Sequence, residues 1–219
     1  SVLDSVFNAD YFVDEDYFDT FPEEKRHRWR VMSLDPSLGK NDKSDYSVWT
    51  KGVLDWDGTM WVDADIQRRD SMQICEDGVK QILEFRPHAV FVESVSFQEV
   101  LQREFERYCK EAGLMTPIYG FSQKENKLTR IRATLTPHLA RHNFRWKKRS
   151  PGISLLMEQL KGFPTTKHDD GPDALEMLVR GFSYISANGV EEDAGDWRDP
   201  IAEDGPHISI PETGITVAT

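Results

Sequence analysis

The segment YSVWTKGVLDWDGTMWVDADIQR, residues 46–68, decides the fold class of this chain. Two stretches rich in β-branched and aromatic residues flank the motif DWDG, whose Asp-Gly pair favours a tight turn. The segment therefore predicts a β-hairpin. Before it, and separated by a polar loop, RWRVMSLD (residues 28–35) forms a short apolar run that ends at Asp35. We expect these three consecutive strands to form an antiparallel meander.

Helical and strand patterns alternate in the rest of the chain. Helices are predicted at 71–85, 97–113, 127–141, 150–163 and 170–185, and strands at 88–94, 117–121 and 142–148. Ser71 is the expected N-cap of the first helix, and the strand at 142–148 is expected to be an edge strand or a hairpin arm. This order of elements predicts an α/β protein with a mixed central sheet flanked by helices.

The composition is that of a globular protein with room for one substantial core. The chain has 219 residues, of which 38% are hydrophobic and 30% charged. No apolar run approaches the roughly 20 residues of a membrane span, and Ser1 opens no signal peptide, so no membrane partner is expected. Cys75 and Cys109 lack metal-ligand spacing and are expected to be reduced core residues.

The net charge of −11 hides an uneven distribution. Residues 1–24 hold eight acids and no Lys or Arg, and residues 186–219 hold eight acids and one Arg. Residues 122–150 hold nine Lys or Arg against one acid, so a nucleic-acid partner is not excluded. We expect an acidic linker or arm at 1–27, one folded domain at 28–185, and from residue 186 an acidic, disordered tail.

Four acids stand at distinctive positions in this pattern. Asp35 ends the first predicted strand, and Glu93 ends the apolar run AVFV. Asp170 and Asp173 are three residues apart in the first turn of the last helix, so both lie on one face. Carboxylates that converge from several elements form a site for hard divalent cations such as Mg²⁺ and Mn²⁺.

Each acid also has a simpler interpretation that the sequence leaves open. Asp35, which Pro36 follows, is typical of a turn, and Glu93 is also compatible with a surface acid at a strand end. Acids in a first helical turn complement the helix dipole. The combination favours a cation site because chain order, strand-end placement and spacing agree.

These motifs together resemble a known family. VMSLDPS (31–37) with DYSVWT (45–50), AVFVES (89–94) and KHDDGPDALEML (167–178) are similar to the metal-binding pattern of the RNase H-like nucleases. The closest likeness is to the C-terminal nuclease domain of tailed-phage terminase large subunits, while D-x-x-D-A-L is shared with RuvC-type resolvases. The resemblance covers residues 28–185 and implies an RNase H-like sheet of three antiparallel strands followed by parallel strands.

The resemblance implies a role for each matching acid. Asp35 would bridge two divalent cations, Mg²⁺ or Mn²⁺, while Glu93 would hold one of them and Asp170 the other. Asp173 would support Asp170 one helical turn on. The auxiliary candidates are Asp169 as a further ligand and His168 as a group that orients water. The implied chemistry is phosphodiester hydrolysis by metal-activated water, with the cations about 3.5–4 Å apart. An exposed loop histidine is an equally good interpretation of His168.

The basic stretch supplies candidate contacts to DNA phosphates, which would give a salt-dependent grip with little sequence preference. The candidates are Lys124, Lys127, Arg130, Lys147, Lys148 and Arg149, with Lys40 and Lys43 as auxiliary contacts in the loop after Asp35. A solvated basic face without a ligand is the simpler alternative.

The expected function is therefore metal-dependent cutting of double-stranded DNA during viral genome packaging, with low sequence specificity. The alternatives are a Holliday-junction resolvase or transposase-like nuclease on the same fold, and a non-catalytic DNA-binding or assembly module. No phosphate-binding loop of the form G-x-x-x-x-G-K-[ST] occurs, so the ATPase domain of a terminase would be absent from this chain. The implied partners are that domain, the small terminase subunit and the portal, in the cytoplasm of the infected bacterial host.

Overall fold

The computed structural model of the chain describes residues 5–36, 46–94, 99–121 and 125–190. The strands are β1 (Tyr17–Phe18), β2 (His27–Asp35), β3 (Ser47–Asp55), β4 (Met60–Gln67), β5 (Ala89–Glu93), β6 (Ile118–Phe121) and β7 (Phe144–Lys147). The helices are α1 (Ser71–Phe85), α2 (Glu99–Glu111), α3 (Lys127–Ala140), α4 (Pro151–Gly162) and α5 (Asp170–Asn188).

The seven strands form one mixed sheet in the order β1-β7-β4-β3-β2-β5-β6. β2, β3 and β4 pair antiparallel, whereas β5, β6, β7 and β1 join through parallel pairs. The predicted meander followed by parallel strands is thereby confirmed. Because β2, β4, β5 and β6 run in the same direction, their carboxyl ends lie at one end of the sheet, which is where an α/β sheet places its site.

Each face of the sheet carries its own core. Side chains alternate between faces along a strand, so Val31 joins a core with α3, α4 and α5, while Met32 and Leu34 join a second core with α1 and α2. Gly152 shows how closely α4 approaches the sheet, because a β-carbon there would lie 1.8 Å from the carbonyl oxygen of Ala64. Only glycine permits that contact.

The acidic N-terminal segment packs on the domain along its described length. Phe7 and Phe18 are buried, and β1 lies parallel to β7 and covers the edge that β7 would otherwise expose. Asp16 is also buried; its carboxylate accepts a hydrogen bond from Arg145 (3.0 Å) and lies 2.8 Å from His142 Nδ1. We call residues 5–26 the arm.

Two details of the helices differ from the expectation. The N-cap of α1 is Asp70, not Ser71. Its carboxylate accepts from the backbone N–H of Gln73, and the Gln73 side chain accepts from the backbone N–H of Asp70, which together form a capping box. α5 ends at Asn188, beyond the predicted end at residue 185. Residues 191–219, most of the expected tail, lie outside the described part of the chain. None of the described helices is both long and apolar enough to span a bilayer.

Candidate metal centre

Asp35 lies at the centre of the predicted acid group. It ends β2 and is only 5% exposed. Burial raises the pKa of its carboxyl well above the usual range, and the charges of Asp173, Glu93 and Asp170 raise it further. The four acids predicted from three separate segments are thus close enough to act on one another electrostatically.

The sheet places Glu93 beside Asp35. β5 pairs parallel with β2, and Leu34 is in register with Val92. The next residues, Asp35 and Glu93, therefore end adjacent strands, which are about 4.8 Å apart in a sheet. Parallel pairing of two apolar strands is what brings these two carboxylates to one end of the sheet.

Helix α5 delivers the other two acids. Its first turn carries Asp170 and Asp173, and the Ser33 hydroxyl on β2 donates to the carbonyl oxygen of Ala174 (2.7 Å). This buried hydrogen bond joins the beginning of α5 to β2, at a position two residues before Asp35. The N-terminal N–H of Gly171 donates to the Gln159 side chain of α4 (2.7 Å), so the N-cap residue does not have to cap the helix.

Asp169, the N-cap of α5, makes no capping hydrogen bond. Its carboxylate instead accepts from Lys127 Nζ (2.8 Å), which also lies 3.1 Å from Asp173 Oδ2. Burial lowers the pKa of Lys127, but Asp173 and Asp169 outweigh it and raise that pKa above its ordinary value. Lys127 is therefore a cation held between two of the predicted acidic residues.

Arg130 is a second internal cation, and its burial argues against the contact expected from the sequence. It was expected to contact DNA phosphates, but it is 6% exposed. Its guanidinium donates to Asp173 Oδ1 and, through Nε, to Glu176 (3.1 Å). A buried side chain engaged by two acids cannot reach a phosphate on the surface. The sequence analysis also missed Glu176, although its spacing of three from Asp173 continues the same helical face.

His168 lies beside this group but makes no described contact with its acids. Its ring packs edge-on against Tyr46, with ring centroids 4.9 Å apart. The Tyr46 ring in turn lies under the guanidinium of Arg68, 4.8 Å from the ring centroid. The role of His168 in orienting water stays a prediction.

The remaining basic candidates fall into two groups. Lys40, Lys43 and Lys124 lie outside the described residues. Lys147, Lys148 and Arg149 lie at the carboxyl end of β7, where they contact Asp19 of the arm. Its carboxylate is 3.2 Å from Lys148 Nζ and 3.0 Å from Arg149 Nη2, and its backbone carbonyl accepts from Lys147. We call this set the arm contact.

The acids do not form a closed ligand shell in the structure. Within the described ranges, no three Asp, Glu, His or Cys side chains converge closely enough to hold a metal ion. Electrostatic influence on the pKa of Asp35 extends farther than a metal–oxygen bond, so the two observations are compatible. The oxygen donors at a strand end suit Mg²⁺ or Mn²⁺, and a bound cation would offset the crowding that raises the pKa of Asp35.

Comparison with known proteins adds the family context for this geometry. No protein-family model and no curated protein matches the sequence. Among solved structures, the nuclease domain of the large terminase subunit gp2 of bacterial virus Sf6 is similar, with a TM-score of 0.58 at 11% identity, over 80% of this chain and 98% of that one. The chain has the fold of a terminase nuclease domain. The RNase H-like fold expected from the sequence is thus confirmed.

Two further terminase structures share this fold. The HK97 bacteriophage large terminase has a TM-score of 0.59 at 14% identity, over 80% of this chain. This chain spans only 43% of that protein's length. A mutant Sf6 nuclease domain with manganese and beta-thujaplicinol has a TM-score of 0.54 at 10% identity, over 80% of this chain and 98% of that one. At these identities the likeness concerns the fold.

Proposed function

We propose that this protein is a divalent-metal-dependent endodeoxyribonuclease that cuts double-stranded DNA with low sequence specificity. The observation that carries the proposal is the position of Asp35: a buried carboxylate at a strand end, under the electrostatic influence of Glu93, Asp170 and Asp173. A fold shared with terminase nuclease domains supports the same activity. Manganese in one of those structures supports a metal-dependent site.

Each acid would have a distinct part in the site. Asp35, Glu93 and Asp170 would hold two cations, Mg²⁺ or Mn²⁺. Asp173 would support them one turn along α5, and Asp169 would be an auxiliary ligand once Lys127 is displaced. When bound, the cations would activate water and neutralise charge on the scissile phosphate. The buried position of Asp35 would keep bulk water away from one side of the site.

The chain would belong to a DNA-packaging machine. It spans nearly all of an isolated terminase nuclease domain but less than half of a whole large terminase, so we propose that an ATPase domain acts with it. The small terminase subunit and the portal would be its other partners, in the cytoplasm of the infected bacterial host. The proposed phosphate contacts among the described residues remain Lys127, Lys147, Lys148 and Arg149, because each has a side chain that reaches the surface.

Cleavage of supercoiled plasmid with Mn²⁺ or Mg²⁺ tests the proposal. Asp35→Asn removes the central charge at nearly constant volume. It should lower the rate at least about 100-fold, the upper range for loss of an outer-shell partner, since a direct ligand matters more. An unfolding curve monitored by circular dichroism checks that the variant is folded. EDTA should abolish cutting by the wild type.

Asp57→Asn is the matched control, because Asp57 is an exposed acid at the opposite end of the sheet. It should cut at the wild-type rate. Equal cleavage by wild type and Asp35→Asn would refute the proposed role of Asp35. Strong preference for branched DNA over linear duplex would instead indicate a resolvase.

A further inference from the structure

Three charged side chains are buried together between α3 and α5. Arg130 is 6% exposed, Asp173 4% and Glu176 0%. Burying a charge is costly unless it is paired and hydrogen-bonded. Such a group at the edge of a proposed cation site therefore calls for a physical explanation.

The cluster satisfies its own charges. Arg130 donates to both acids. The hydroxyl of Thr134 donates to Glu176 Oε1 (3.2 Å), and Arg180 Nε forms an ion pair with the same oxygen (2.6 Å). Arginine suits this place because its planar fork can address two acceptors at once. Glu176, held from three sides, in turn fixes the guanidinium of Arg130.

The two oxygens of Asp173 have different partners. Oδ1 accepts from Arg130, which is buried, whereas Oδ2 lies 3.1 Å from Lys127, whose side chain is 38% exposed. The first contact is enclosed by the protein, whereas the second is made by a cation whose side chain reaches the surface. The carboxylate thus has one buried partner and one partly exposed partner.

We propose that Arg130 is a positioning residue, which holds Asp173 through Oδ1 so that Oδ2 faces the cation site, and that Glu176 holds Arg130 in this orientation. The inference rests on the proposed function, because it assigns Asp173 to a metal centre. The simpler alternative is that the cluster only joins α3 to α5. The two hypotheses make different predictions for Arg130 variants. A positioning role predicts a loss of metal affinity even when the variant is folded, whereas a purely structural role predicts a loss of stability alone.

Titration of the metal-free protein with Mn²⁺ in a calorimeter distinguishes them. Arg130→Lys keeps the charge but loses the fork, and should weaken Mn²⁺ binding about 10- to 100-fold, the range for groups that orient metal ligands. Glu176→Gln keeps the shape and an acceptor for Arg130, so it should weaken binding less. Arg132→Lys, on an exposed position of the same helix, is the control and should bind as the wild type.

Urea unfolding of each variant supplies the second measurement. A folded Arg130→Lys protein with wild-type Mn²⁺ affinity would overturn the proposal, whatever its stability. If Arg130→Lys does not fold, the same criterion applies to Glu176→Gln. If the wild type binds no Mn²⁺, the positioning role and the metal centre both fail. If it binds Mn²⁺ but cuts no DNA, the nuclease proposal fails while the positioning role stands.

Discussion

Two groups of paired charges in this protein use similar residues in opposite environments. The buried cluster joins Arg130 to Asp173 and Glu176 between two helices. The arm contact joins Asp19 to Lys148 and Arg149 at the surface, where the Arg149 side chain is 85% exposed. Burial decides what each can do: a buried ion pair cannot exchange its partner cheaply, whereas an exposed one is screened by salt and exchanges readily.

The arm contact lies to the side of the proposed metal centre and nearer the middle of the sheet. β7 runs parallel to β4, and β4 runs in the same direction as β2 across the antiparallel β3. Through Val62 and Gly52, Trp146 of β7 is level with Val31 of β2. The three bases therefore begin three strand spacings, about 14 Å, to the side of β2 and about three residues, roughly 10 Å, before Asp35 along the strands. In the structure Lys148 and Arg149 contact the carboxylate of Asp19, so a phosphate bound by these proposed DNA contacts would have to replace it.

The largest expected difference between the two groups is in stability. Arg130→Ala removes the buried cation that Asp173 and Glu176 share and should lower the free energy of unfolding by about 3–5 kcal/mol. Arg149→Ala removes one exposed partner and should lower it by less than about 1 kcal/mol. Urea unfolding monitored by tryptophan fluorescence measures both. Similar losses in the two variants would contradict the distinction.

A smaller effect should appear in the coupling within the buried cluster. The double variant Arg130→Met with Glu176→Leu should cost less than the sum of its single changes, by about 0.5–3 kcal/mol, because each single change strands the other charge. Lys148→Met with Asp19→Leu is the matched cycle at the surface, where we expect coupling of about 1 kcal/mol or less. Additive costs in the buried cycle would mean that the two residues do not act together.

The smallest expected effect is on DNA affinity. Asp19→Asn should strengthen binding of a linear duplex about two- to five-fold at 50 mM salt, the equivalent of one exposed ion pair. The gain should shrink at 200 mM salt because screening weakens the contact. Fluorescence anisotropy in EDTA measures binding without cleavage.

Asp10→Asn is the control for this measurement, since it removes the same charge from an exposed position of the arm outside the contact. Equal gains from both variants would show that only the overall charge of the arm matters. No gain from Asp19→Asn would argue against phosphate binding by Lys148 and Arg149.

The sequence was most informative where the signals are local. The hairpin of β3 and β4 follows from alternation and an Asp-Gly turn, and the helices follow from apolar spacing. Local patterns predict the presence of an element more reliably than the residues at which it begins and ends. The helix that was expected to have Ser71 as its N-cap is capped by Asp70. Whether Ser or Asp takes the cap depends on backbone geometry that both residues permit.

Pairing between distant segments was harder to predict. The strand at 142–148 was expected at an edge or in a hairpin, but it pairs parallel with β4 and is covered by β1 of the arm. Parallel partners are distant in sequence, and no turn signal marks them. The same limit explains why the burial of Arg130 was not predicted. In the sequence it is one of several polar residues of α3, and it becomes buried only because α5 packs against that helix.

The sequence by itself determined which carboxylates end strands and begin the last helix, because a charge after an apolar run is visible in the residue order alone. Only the tertiary structure decided which base meets which acid. Lys127 and Arg130 lie three residues apart, yet one is a partly exposed cation between Asp169 and Asp173 and the other is enclosed with Glu176. Burial depends on how α3 and α5 pack together, and that environment, not residue type, sets whether a charge binds a ligand or holds one in place.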